Sequence, residues 1–360
     1  MEKKQTILNK LFSKDLRQRT ISFLIIICGY IIVEILLKTG NISSMFQSLL
    51  VPVTCYMVAA LGLNLNVGVS GELNLGQAGF MCLGAFMGVC VSGALAPTIT
   101  NGLVRLLLAI IAGALIAAVF GFLIGVPVLK LQGDYLAIVT LAFGEIIKSL
   151  INNMFFGFDA NGFQFSFVEN KLKLAPGGKA LINGPMGATG TQRIATFTVG
   201  VILVLAALAI IYNIMYSRSG RAIQACRDNR IAAESVGIHV ANTKMLAFVI
   251  SAGLAGAAGA LYGLNYSTLL PAKFDFNLSI LVLVYVVLGG LGNMTGTIIS
   301  TIILVILPEL LRGLQDYRML IYAIVLILMM ILSNNAKVRQ YAESLKQKLS
   351  FKKKEEAANE

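Results

Sequence analysis

Charge is scarce in this chain. Of its 360 residues only 13% are Asp, Glu, Lys or Arg, while 57% are hydrophobic and mean hydropathy is +0.81. Soluble domains carry about 25% charged residues. A soluble fold of this length cannot hide so much apolar surface, so the composition excludes a soluble domain and implies a multispanning membrane protein. Histidine is nearly absent: His239 stands alone, which excludes a metal site built from histidines. The five cysteines (Cys28, Cys55, Cys82, Cys90, Cys226) form no CxxC pair and read as small buried hydrophobes. No GxxxxGK[ST] phosphate loop occurs, nor GxSxG, nor HExxH. If ATP drives this protein, a separate chain must hydrolyse it.

What charge there is lies in clusters. The net +12 comes mainly from an N-terminal tail (Lys3, Lys4, Lys10, Lys14, Arg17, Arg19), the stretch Ser217–Lys244, and a C-terminal tail (Lys337, Arg339, Lys346, Lys348, Lys352 to Lys354). This is the positive-inside pattern rather than a nucleic-acid-binding one. A spanning helix takes about 20 apolar residues. Runs of that kind are Ile21–Leu37, Ser48–Val67, Gln77–Ala96, Leu106–Val128, Tyr135–Ile151, Ala195–Tyr216, Met245–Leu264, Leu278–Leu291, Thr295–Leu311 and Met319–Leu332. The fold class is therefore all-α and polytopic, with about ten transmembrane helices. The first run lacks a convincing cleavage site and reads as a retained helix. An even count puts both termini and Ser217–Lys244 in the cytoplasm. The expected organisation is a cytoplasmic tail (1–20), a membrane region (21–333) and a second charged tail (334–360). Within the membrane region, 152–193 is an external loop, rich in turn residues and opening on several phenylalanines. Its aromatics suit either a bland loop or a surface that receives an external partner. The internal echo of Leu73-Asn74-Leu75 in Phe276-Asn277-Leu278, on opposite sides of the membrane, fits an inverted five-plus-five repeat.

Glycine-rich breaks interrupt the apolar runs at Gly68–Gln77 and Gly289–Asn293. Broken backbone at membrane depth survives only when buried in protein or lining a cavity. Charges within spans (Glu34, Glu145, Lys148, Glu309) should face protein or water. Glu145 and Lys148 are three apart and can pair on one helix face. Tyr135–Ile151 carries the small and polar stripe Thr140, Gly144, Lys148, Ile151, suited to a pathway or to close packing. Asn74, Gln77, Thr140 and Glu145 are candidates for a substrate path. Read as ion sites, Glu145 or Glu34 would instead serve an ion-coupled secondary transporter. A membrane scaffold that only anchors partners is a third reading.

The segment 217–244 interrupts the apolar pattern longest. Asp228 or Asn229 can cap a short helix, Ala232, Ala233 and Val236 supply a small apolar face, and Gly237 is placed to end it. The motif Ala232-Ala233-Glu234-Ser235-Val236-Gly237 resembles the coupling motif of ABC importer permeases. Gly133-Asp134-Tyr135 through Lys148, Ser219-Gly220-Arg221-Ala222, Arg227-Asp228-Asn229, Lys244–Ala252 and Gly289-Gly290-Leu291-Gly292 are similar to the branched-chain amino acid permeases of the LivM type, a resemblance running from about Gly62 to about Leu311. The chain departs from that family's pattern after Gly292, at Asn293-Met294-Thr295, and around Phe158–Gly162. The resemblance implies a bacterial inner-membrane permease subunit paired with a second, related permease. It also implies two cytoplasmic ATP-binding subunits that use ATP and Mg, and an extracytoplasmic solute-binding protein. No cofactor belongs to this chain itself. Arg221, Arg227, Ala232, Ala233, Glu234 and Gly237 would couple the ATPase to the membrane part. The substrate would be leucine, isoleucine or valine, with urea or short amides as the alternative.

Overall fold

The computed structural model describes residues 2–40, 43–131, 133–159, 162–167, 179–311, 313 and 317–334, with side chains from Arg19 onward except at 134, 159, 162, 163, 179, 318, 319, 328–330 and 332–334. Gly177, Gly178, Ala160, Asn161, Arg312 and the tail beyond Asn334 lie outside the described residues. The chain divides into two compact units after Ile302.

Helix α1 runs Glu2–Lys38, so the expected tail 1–20 is helical and continuous with the first span. Helix α2 (Ser44–Asn64) continues into a π-helical turn, Leu65–Ser70, before α3 (Gln77–Leu95). Then come α4 (Gly102–Val128) and α5 (Asp134–Asn152). Asn101 starts α4 four residues earlier than the apolar run, because its side chain accepts a hydrogen bond from the Leu103 amide. A region of strands follows: β1 (Met154–Asp159), β2 (Gly162–Phe167), β3 (Lys179–Asn183) and β4 (Ala188–Thr189). After it stand α6 (Phe197–Tyr216), α7 (Arg218–Asp228), α8 (Arg230–Ser235) and α9 (Val240–Gly263). A short strand β5 (Thr268–Leu269) precedes α10 (Phe276–Gly289) and α11 (Met294–Leu310). The second unit begins within α11 and contains α12 (Arg318–Asn334).

Among the described residues eight helices are long and apolar enough to cross a membrane, the last of them Pro271–Gly289. The last two expected spans, Thr295–Leu311 and Met319–Leu332, are helices of 17 residues each. That length is at the lower limit for a span.

The expected loop 152–193 is partly sheet. β2, β1 and β3 form an antiparallel three-stranded sheet in that order, and β4 pairs with β5. The alternation Phe163, Phe165, Phe167 is a strand pattern of period two, and it outweighs the turn residues around it.

The centre of the first unit is α9, packed by α2, α3 and α4. Its contacts depend on missing side chains. A Cβ on Gly84 would lie 2.0 Å from the Gly256 carbonyl oxygen, and one on Gly259 would lie 2.0 Å from that of Met81. Small residues let helix backbones approach closely, which is how helices associate in lipid. Outward faces remain apolar: Leu24, Ile32 and Ile35 on α1, and Ile111, Leu115 and Leu123 on α4, are all exposed. In a bilayer these are the lipid-facing residues.

Candidate functional site

The segment between α6 and α9 folds as two short helices set against the broken end of α2. Ser217 caps α7, accepting a hydrogen bond from the Gly220 amide at 3.1 Å. Arg221 donates to the Tyr216 carbonyl at 3.3 Å, closing the α6–α7 corner. Asn229 caps α8 by accepting from the Ala232 amide at 3.0 Å. Gly237 ends that helix at φ +85, a left-handed conformation that glycine adopts freely, and the Ile238 amide returns to the Ala233 carbonyl at 3.1 Å.

The faces of α8 differ from the sequence expectation. Ala232, Ala233 and Val236 were expected to share one contact face. Ala233 instead turns inward, 4% exposed, into a small core with Cys226 and Val240, flanked by Ile238. Ala232 and Val236 stay outside, joined by Ile231, and the latter two are 76% and 78% exposed respectively. Glu234 is half exposed and pairs within the helix with Arg230 at 3.0 Å. Ile231 was not singled out in the sequence. An isoleucine among charges in a polar segment is the signal that could have found it.

Arg227 is aimed at the protein's own interior side. Its guanidinium donates to the Gly68 carbonyl in the π-helical turn. A Cβ on Gly71 would lie 2.9 Å from the Arg227 Cγ, so the side chain passes directly under this break. Gly71 has φ +76 there. Gly68 and Arg227 line a cleft with Gly292 and Asn293. Asn64 joins the two glycine-rich breaks from within: its Oδ1 accepts from the Gly292 amide at 2.8 Å, and its Nδ2 donates to Thr297 at 2.7 Å. A second tie lies beside the first. Lys244, on the first turns of α9, forms an ion pair with Glu72, each side chain 14% exposed. The segment 217–244 is thus fastened to the α2–α3 break at two points, Arg227 on Gly68 and Lys244 on Glu72. The Cys226 thiol beneath α8 is pushed above its ordinary range by burial, and nearby Lys244 opposes this only in part.

The four candidate path residues separate into two groups. Asn74, Gln77 and Thr140 are buried and hold the break in place. Asn74 accepts from the Gly76 amide at 2.8 Å, Thr140 accepts from the Leu75 amide at 3.1 Å, and Gln77 donates to the Ala59 carbonyl at 3.0 Å. Glu145 stands apart from them, partly exposed and paired with Lys148. The stripe of α5 packs on α3, where a Cβ on Gly79 would lie 2.6 Å from the Gly144 Cα. Buried side chains that sequence reasoning passed over include Asn66, Ser70 and Ser251, each with polar side-chain atoms lacking a hydrogen-bond partner.

Residues 45–333 match the family described as the permease component of branched-chain amino acid transport systems. The chain is 37% identical over 220 residues to the high-affinity branched-chain amino acid transport system permease protein LivM of Escherichia coli K12, covering 58% of this chain and 52% of that protein. It is 36% identical over 220 residues, with the same coverage, to LivM of Salmonella typhimurium. It is 32% identical over 149 residues to the permease protein LivH of Salmonella typhimurium, covering 38% of this chain and 48% of that protein. The chain therefore spans about half the length of the curated relatives it matches. No solved structure matches it. With 45–333 covering most of the chain, every candidate span but the first, and the paired breaks, this multi-pass membrane protein belongs to the family of branched-chain amino acid transport system permease components.

Proposed function

We propose that this chain is one of two permease subunits of an ATP-driven importer for branched-chain amino acids in a bacterial inner membrane. Both termini and the segment 217–244 face the cytoplasm, as the basic clusters indicate. A second, related permease completes the path, and an extracytoplasmic solute-binding protein delivers the amino acid to the sheet-bearing side. Two ATP-binding subunits consume ATP with Mg. The observation that carries this reading is α8: it packs Ala233 inward and presents Ile231 and Val236 outward from an otherwise polar segment. Exposed large apolar residues on so short a helix suit insertion into a groove on a partner.

ATP-driven closure of the partner pair would push on Ile231, Ala232 and Val236. Asn229 and Gly237 keep α8 at fixed length. Arg227 and Lys244 pass the displacement to the α2–α3 break, through Gly68 and Glu72. Alternating access then proceeds as rigid-body rocking about the membrane part. An inverted repeat agrees with two long helices, α2 and α9, each followed by a break in the α-helix and then by α3 or α10.

The test is Ile231→Asp combined with Val236→Asp in the reconstituted complex. Apolar anchors at an interface centre contribute about 1–2 kcal/mol each. ATP-dependent leucine uptake and transport-stimulated ATPase activity should both drop by about tenfold or more, with permease still present in the membrane. Unchanged uptake would remove α8 from coupling.

A further inference from the structure

The end of the molecule opposite α7 and α8 holds a buried cation with no counter-charge. Arg105 lies on the first turn of α4 and is 4% exposed. Its guanidinium donates to the Gln192 side-chain oxygen. Its Nε is buried without a hydrogen-bond partner. Among the described residues no carboxylate pairs with it, in contrast to Lys38, Lys148, Arg230 and Lys244. Arginine cannot shed its proton at any physiological pH. A lysine in this position could relieve its burial by neutralising; Arg105 must be compensated. The last turn of α3 runs along the same cavity, and its carbonyl end offsets part of the charge, yet it leaves Nε without an acceptor.

Arg105 opens onto a cavity of about 80 Å³. Ser92, Thr189, Thr191 and Gln192 supply its polar wall, and Leu181 and Leu264 an apolar one; among the described residues no acidic one lines it. The polar wall is held from outside: the Thr191 amide bonds the Ser267 carbonyl at 3.1 Å, and the Ile194 amide bonds that of Leu264 at 3.2 Å. Sites that enclose a drug-sized ligand measure ~300–1,000 Å³. This one has room for a head group only.

We infer that the Arg105 cavity receives the α-carboxylate of a free branched-chain amino acid as it enters from the external side. The guanidinium fork matches a carboxylate in a bidentate manner. The Ser92 and Thr189 hydroxyls can donate to the carboxylate's remaining lone pairs, while that of Thr191 already donates to the Tyr266 carbonyl and holds the wall in place, and the aliphatic side chain extends past Leu181 and Leu264. The choice of an amino acid as the source of the carboxylate rests on the proposed transport function; the need for an oxyanion does not. A lipid phosphate would satisfy the same chemistry, and the experiment separates the two.

Full-length permease purified in detergent is titrated with leucine, leucinamide and inorganic phosphate, following the thermal unfolding midpoint. Leucine should raise the midpoint saturably, and leucinamide, lacking the carboxylate, should not. Arg105→Gln should weaken leucine binding by about tenfold or more, since a charge-assisted pair is lost, and Arg105→Lys should fall between. If Arg105→Gln does not fold, Thr189→Val in the same wall should weaken leucine binding several-fold. Equal binding of leucine and leucinamide overturns the inference. So does phosphate binding in preference to leucine, or leucine binding that neither Arg105→Gln nor Thr189→Val alters. Ile231→Asp permease should bind leucine as the unaltered protein does, so failure of coupling and failure of this site are read separately.

Discussion

Replacing Glu72 by Gln removes one charge of the pair that fastens α9 to the α2–α3 break. Each side chain is only 14% exposed, so Lys244 would be left charged and poorly hydrated. Exposed ion pairs contribute about 0–1 kcal/mol, whereas removing one partner from a buried pair costs about 3–5 kcal/mol. At this degree of burial the single replacement should cost about 2–3 kcal/mol. Most of that cost is the stranded ammonium rather than the lost attraction. Glu72→Gln/Lys244→Met should therefore recover the larger part, and a double-mutant cycle should give a coupling of about 2 kcal/mol. Equilibrium unfolding in mixed micelles measures each corner of the cycle. Uptake by the reconstituted complex should fall for the single variant even where the protein is folded, because the strap between segment 217–244 and the break is cut. A single-variant loss under about 0.5 kcal/mol, or a double variant worse than either single, would refute the reasoning.

Gly84→Val should abolish a monodisperse peak in detergent size-exclusion, because its Cβ would sit 2.0 Å from the Gly256 carbonyl oxygen and two backbones would have to part. Gly253→Ala, where the nearest atoms are 3.5 Å away, should be neutral or slightly stabilising in the same assay. Cys226 should react with maleimide far more slowly in the folded protein than after denaturation. Its folded pKa is raised by burial, so the stability it contributes is complete below the ordinary thiol range and is lost as pH rises from there towards the folded value. Fast labelling of Cys226 in the resting protein would show that α8 does not cover it.

Much of the architecture is legible in single residues. Apolar runs mark the helices to within a few positions, because backbone in lipid must satisfy its own hydrogen bonds. Asn229 and Gly237 mark the ends of α8, because capping is local chemistry. In sequence the strands in 152–193 read instead as a loop, because the glycines and prolines around them outweigh the alternating phenylalanines. The inward face of α8 is not legible either. Six residues are too few for a helical period to separate Ala232 from Ala233, and the decision came from Cys226 and Val240 on neighbouring helices.

The sequence by itself therefore determined the class of the protein, eight of its ten expected spans, its basic segment and the absence of a phosphate loop. Each of these depends on neighbouring residues or on composition alone. Only the tertiary structure decided that Arg227 reaches Gly68, that Lys244 meets Glu72 across 172 positions, and that Arg105 is buried with no acid beside it among the described residues. Those pairings depend on how α9 seats against glycines of α3 and α4, and close helix packing brings together residues whose spacing in the chain carries no trace of it.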